Sequence, residues 1–214
     1  PDLFGKWKTY GDKNYLTLYS YAARGAMDAQ NTNPFKFGGP ATTQLYTNWI
    51  NALAKMVTQS KLKLDFFSWH RYSTDPLQFA KDRKDITTAL FLPFPSLVGV
   101  ERIISEWGFD PEINAGYDTN FAAAHAVATV RQIVDGGEQL YAFEPIDGLD
   151  PGGKQFWGRW GLMTYPSKGL VKKPRYLAFQ LLNQMKGNRL SLTGEGTWVT
   201  GFAVKDTDTI RIML

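Results

Sequence analysis

The sequence predicts an α/β protein built as the C-terminal half of a (β/α)8 (TIM) barrel, strands 5 to 8 with their helices, followed by the start of a β-sandwich accessory domain. Three observations carry this expectation. Apolar strand-like runs alternate with helical periods through residues 1–187, the order that a parallel sheet with helical crossovers requires. Four strands do not close a barrel, which takes about eight, so alternation alone suits either a small open sheet or half of a barrel. The strands end on aromatic and acidic residues, where a barrel keeps its chemistry, and the chain contains neither GxGxxG nor GxxxxGK[ST], the turns that mark nucleotide-binding open sheets. The strand ends favour the half barrel.

Residues 14–30 (NYLTLYSYAARGAMDAQ) place apolar side chains at helical spacing, with Asp12 as N-cap. FKFGGP, residues 35–40, reads as a short strand broken by Gly38, Gly39 and Pro40. Residues 46–60 return to a helical period. LDFFSWHRY, residues 64–72, reads as a buried strand with Trp69, His70 and Tyr72 at its C-terminal end. A helix is expected over residues 75–90, with Pro76 in its first turn. The β-branched run 98–104 is a strand buried on both faces, and it drives Glu106 of ERIISEWGF out of an apolar stretch. The Ala-rich residues 118–135 form a helix closed by Gly136 and Gly137. LYAFEP, residues 140–145, is the fourth strand, with Glu144 at its end, and an aromatic loop leads to a helix over residues 174–185. The period then changes to two: TWVTGFAVK and DTIRIML alternate like antiparallel strands about a turn at residues 206–208. The chain thus divides into a barrel part, 1–187, and an accessory part, 188–214.

The 214 residues are 43% hydrophobic and 14% aromatic, which excludes disorder and supplies a sizeable core. The net charge of +4 comes from 24 basic and 20 acidic residues interspersed along the chain, a solvated surface rather than an anion-binding face. Zero cysteines exclude disulfides, thiolate catalysis and Cys-ligated zinc. Two distant histidines match no metal spacing, so no metal or other cofactor is expected. No apolar run spans a membrane, and no basic-aromatic interleaving suggests nucleic acid, so neither is expected as a partner. PDLFGKW lacks an initiator Met.

Candidate chemistry gathers at successive strand ends: His70 and Tyr72, then Glu106 and Trp107, then Tyr141, Phe143 and Glu144, with Asp147 close behind. Aromatic faces stack on sugar rings, while carboxylates and imidazole bind hydroxyls and stabilise an oxocarbenium-like transition state, so a glycoside or oligosaccharide is the expected partner. Each residue also has a structural reading. Trp69 and Phe66 suit the core, Tyr141 suits core or subsite equally, His125 suits a partly buried structural position, and Lys168, Lys172, Lys173 and Arg175 suit a solvated surface.

DFFSWHRY at 65–72, IISEWGF at 103–109, the DTNFAAA after it, and WGRWGLMTYPSKGLVKKPRYLAFQLLNQM at 157–185 together resemble the second half of glycoside hydrolase family 39, which includes β-xylosidases and α-L-iduronidases. The resemblance implies a retaining glycosidase with Glu106 as catalytic nucleophile and with His70 and Tyr72 touching substrate and orienting it. Where xylosidases of that family carry a Trp and paired acidic residues at strand 8, this chain has Tyr141, Phe143, Glu144, Pro145 and Asp147, leaving Glu144 and Asp147 as hydroxyl ligands. The family's acid/base is the Glu of an Asn-Glu-Pro motif, and PDLFGKW resembles the stretch just downstream of that Glu. The resemblance therefore implies an acid/base immediately before Pro1, a segment or second chain carrying strands 1 to 4, inactivity of the 214 residues alone, and, by analogy, an extracellular or periplasmic location. A competing reading is a non-catalytic carbohydrate-binding module stacking sugars on Trp107, Trp157 and Trp160. A third is a small open α/β domain with a structural or interaction role.

Overall fold

The structure, a computed structural model, describes residues 1–149, 158–196 and 199–214. They fall into two compact units: Pro1–Tyr72, Gln78–Trp107 and Gly136–Tyr141 form the first, and Ser73–Leu77, Gly108–Asp135 and Ala142–Leu214 the second.

The first unit is organised on a four-stranded sheet whose order follows the chain: β1 (Gly38–Thr42), β2 (Phe66–Tyr72), β3 (Glu101–Gly108) and β4 (Gln139–Ala142). β1 and β2 pair in parallel. The helices α1 (Tyr15–Asp28), α2 (Thr47–Ser60) and α3 (Leu77–Ile86) lie before β1, between β1 and β2, and between β2 and β3. α2 shows why a helical period is readable: Trp49, Ile50, Leu53, Ala54 and Val57 are its buried residues, a stripe at three- and four-residue spacing. Phe67 and Trp69 of β2, Ile104 and Trp107 of β3, and Phe79 and Ile86 of α3 extend the buried apolar set. Burial of each such side chain stabilises by about 1.5–3 kcal/mol.

Several boundaries depart from the sequence reading. α1 is capped by Asn14, whose side chain accepts from the Leu16 amide, and not by Asp12. β1 runs through Gly38, Gly39 and Pro40 instead of ending there, because Gly38 lies where a Cβ would meet the Phe66 carbonyl oxygen at 2.0 Å. Only glycine allows the two backbones to approach this closely. β3 begins at Glu101, after a 3-10 turn at Pro95–Leu97, and Val98 is exposed. β4 ends at Ala142, so Glu144 lies past the strand instead of closing it.

The second unit packs α4 (Asn120–Ile133) and α5 (Pro174–Leu182), and its sheet orders β5 (Asn188–Leu190), β6 (Phe202–Lys205) and β7 (Ile210–Met213) antiparallel. The Thr119 hydroxyl caps α4 by accepting from Phe121, and a 3-10 turn at Ala115–Asp118 precedes it. β5, only three residues long, has no alternating apolar pattern that would mark it in the sequence. The expected strand at 197–205 is observed from Phe202; residues 197 and 198 lie outside the described residues.

His125 is a buried residue of α4, its ring edge-on to Phe109 and its Nε2–H donating to the Ser73 carbonyl at 2.7 Å. Burial pushes its pKa down to about 4. The imidazole is therefore neutral in the fold but protonates near pH 6.5 in the unfolded chain. Its stabilisation is complete above about pH 6.5 and is lost as pH falls toward 4, amounting to about 3 kcal/mol by the lower value. Urea titrations of His125→Gln should show a correspondingly flatter stability profile between about pH 7 and 4; an unchanged slope would contradict this assignment.

Candidate active site

β2 and β3 are neighbours in the sheet, and the Glu101 amide donates to the Asp65 carbonyl at their start and the Ser73 amide to the Gly108 carbonyl at their end, which brings their C-terminal ends side by side. Side chains alternate along a strand, so His70 and Tyr72 share one face of β2 while Trp69 and Arg71 take the other. The Tyr72 hydroxyl donates to Glu106 Oε1 at 2.6 Å, and His70 Nδ1 lies 3.5 Å from Glu106 Oε2. The His70 and Glu106 side chains are 24% and 27% exposed, so the group is sheltered yet reachable. Burial lowers the His70 pKa, with the Glu106 charge acting in the opposite direction. His70 is thus a neutral imidazole at neutral pH, polar without being a counter-cation. A carboxylate held by a phenol on one oxygen and able to turn the other toward a substrate is suited to nucleophilic attack.

The other residues proposed from the sequence lie elsewhere. Trp107 is 0% exposed, with its ring edge-on to Phe79 at 5.9 Å, and so has no face to offer a sugar. Tyr141 is exposed and its hydroxyl donates to Gln139. It lines a groove of about 620 Å³ along the sheet with Phe66, Ser68, Glu101, Ile103 and Ser105, among others. Phe66 therefore belongs to this groove and not to the core.

Phe143, Glu144 and Asp147 form a separate group in the second unit. The Phe143 ring packs against Trp160 at 5.7 Å, and the Glu144 and Trp160 backbones are hydrogen-bonded. Glu144 Oε1 stands 3.5 Å from the Arg159 guanidinium, which lies over the Trp160 ring. Burial raises the Glu144 carboxyl above its ordinary value against the pull of Arg159. Asp147 is buried and fully engaged: Oδ1 accepts from the Gly161 amide at 2.9 Å, and both oxygens accept from Lys173 Nζ, at 3.0 and 2.8 Å. It holds Gly161 and Lys173 and does not present a carboxylate to a ligand. Trp157 lies outside the described residues.

Two members of the basic group expected at the surface are buried instead. Lys173 is 0% exposed and also meets Asp118 Oδ1 at 2.7 Å and the Arg159 carbonyl at 2.9 Å. Arg175 is buried against the rings of Tyr117 and Phe179 and donates to the carbonyls of Phe143 and Trp160. Pairing of Lys173 with Asp118 and Asp147 makes its burial possible, and those partners are too distant in sequence to show in a local pattern. Lys173→Met strands the Asp147 charge and should destabilise the fold by about 3–5 kcal/mol. Pairing it with Asp147→Leu should recover part of that loss in urea denaturation; equal stability of the single variant and the parent would contradict the clamp.

Known proteins share this arrangement of strands and helices. Residues 1–207 match the model of glycosyl hydrolases family 39. A β-xylosidase of Caldicellulosiruptor saccharolyticus is 27% identical over 199 residues, covering 86% of this chain and 39% of its own. The structure of a family 39 β-xylosidase from Caulobacter crescentus superposes with a TM-score of 0.75 at 25% identity, over 99% of this chain and 45% of that one. A family 39 enzyme from Xanthomonas axonopodis pv. citri matches in fold, with a TM-score of 0.71 at 22% identity, over 90% and 40%. The four-stranded sheet is accordingly part of a (β/α)8 barrel, and the small antiparallel sheet begins the sandwich that comes after it. On the match of its residues 1–207, the chain belongs to glycosyl hydrolases family 39.

Proposed function

We propose that this chain supplies the nucleophile side of a retaining glycoside hydrolase acting on glycosidic bonds of a plant or microbial oligo- or polysaccharide. The Tyr72–Glu106 hydrogen bond, with His70 beside it, is the observation that carries the reading. Glu106 attacks the anomeric carbon and the bond to the leaving oxygen breaks, forming a glycosyl ester. A second carboxylic acid, about 5–5.5 Å away in such enzymes, protonates the leaving oxygen and then takes a proton from the water that hydrolyses the ester. Tyr72 orients the nucleophile, and His70 binds sugar hydroxyls.

The acid/base is assigned to a Glu immediately before Pro1. Asp2 accepts from the Thr43 amide at 3.0 Å and from its hydroxyl, just past the end of β1. The Asp2 charge acts on His70, beside Glu106. Strands 1 to 4 come from the rest of the protein or from another chain and cover the groove along the sheet. The chain spans 39% to 45% of the length of the three relatives, which accommodates such a segment. The competing binding-module reading, on Trp107, Trp157 and Trp160, is less well supported: Trp107 has no exposed face, Trp160 packs against Phe143, and Trp157 lies outside the described residues.

The relatives' names make aryl β-xylosides the substrates to try first. Completed with strands 1 to 4, the protein should release the β-anomer first, as followed by NMR. Glu106→Gln should lower turnover by at least about 10³-fold. The 214 residues alone should show no turnover. Release of the α-anomer first, or normal turnover by the isolated chain, would overturn the proposal.

A further inference from the structure

α3 carries its buried residues at Phe79, Asp82 and Ile86, a helical stripe whose middle position holds a carboxylate where an apolar side chain would be expected. Asp82 is 2% exposed. Its Oδ2 accepts from Trp69 Nε1 at 2.8 Å and from Arg71 Nε at 2.7 Å, and its Oδ1 accepts from Arg71 Nη2 at 2.6 Å. The guanidinium is therefore held by two parallel bonds, a geometry that fixes direction as well as distance. Phe79, one turn earlier, packs its ring against Trp107, the neighbour of Glu106.

The residues bonded by Asp82 alternate with the two that meet the candidate nucleophile. Trp69 and Arg71 occupy one face of β2, and His70 and Tyr72 the other. Fixing the first pair fixes the twist and height of the strand end and so the direction of the second. Stability alone does not require such an arrangement, since a buried ion pair can often be exchanged for apolar residues without loss. An aspartate placed here instead secures a particular backbone and side-chain orientation.

We propose that Asp82 is a positioning residue for the active site: by holding Trp69 and Arg71 from α3, it sets the strand end from which Tyr72 donates to Glu106 and His70 lies beside it. The inference rests on the reading of Glu106 as nucleophile. It can nevertheless be tested apart from that reading, because His70 reports the geometry of the site whether or not a sugar is cleaved.

The test uses the 214-residue chain and follows the imidazole signals by NMR during a pH titration. The chain has two histidines, and the deeply buried His125, with its pKa pushed down to about 4, is distinguished from His70 by its titration range. Two variants are compared with the parent: Asp82→Asn, and the double replacement Arg71→Met with Asp82→Leu, which removes both charges and keeps the site filled. Both should move the His70 midpoint upward, toward the ordinary value, as the strand end loosens and the ring gains water. The double variant should do so while staying folded, its unfolding midpoint lowered only by the unpaired Trp69 Nε1–H, and the shift of His70 in the folded state separates positioning from stability. A folded double variant with the parent's His70 curve would overturn the proposal. Loss of turnover or labelling at Glu106 in the completed protein would instead bear on the glycosidase reading.

Discussion

The hydrogen bond from Tyr72 to Glu106 is the constraint around which the first unit is arranged. It exists because β2 and β3 are sheet neighbours whose C-terminal ends finish together. Everything that sets those ends bears on it: the buried Phe67 and Trp69 on one strand, Ile104 and Trp107 on the other, and the Asp82 carboxylate that holds Trp69 and Arg71. The Glu106 carboxylate sits at the strand end, partly exposed, while apolar packing behind it supplies rigidity. Trp107 shows the division of labour. Its neighbour Glu106 is partly exposed, and its own ring is committed to the core.

The second unit solves a different problem, that of fixing the polar backbone around Phe143–Asp147 and Arg159–Gly161. Lys173 and Arg175 reach it from the start of α5, and each satisfies several acceptors at once. Lys173 compensates Asp147 and Asp118, and Arg175 donates to the carbonyls of Phe143 and Trp160 while its guanidinium is sheltered by Tyr117 and Phe179. The cost of burying two cations is offset by paired charge and hydrogen bonds. The result is a fixed setting for Glu144, which stays partly accessible beside Arg159.

How much of the fold is legible in the sequence depends on whether the determining contacts are local. The helices over 47–60 and 120–133 are plain because their buried stripes repeat at three and four residues. The strand carrying Glu106 is plain because a carboxylate ending an apolar run is conspicuous. The strand near residue 38 is legible but its extent is hidden, because Gly-Gly-Pro ordinarily breaks a strand, and the reason it does not, the close approach of the Phe66 backbone, belongs to the partner strand. Lys173 and Arg175 are hidden for the same reason: their partners Asp147 and Phe143 lie 26 and 32 residues away in sequence. Tyr72 and His70 are legible from their strand-end position. Trp107 and Asp147, selected by residue type, are committed instead to packing and to a buried ion pair.

A retaining mechanism requires Glu106 to form a covalent bond to a sugar. The most direct measurement is mass spectrometry of the completed protein after exposure to a 2-deoxy-2-fluoro xyloside with a good leaving group, with peptide mapping of the product. A single added fluoroglycosyl group on the peptide spanning residues 101–109, located at Glu106, is the predicted result. Labelling at another carboxylate, or no labelling in a protein that hydrolyses the corresponding xyloside, would contradict it.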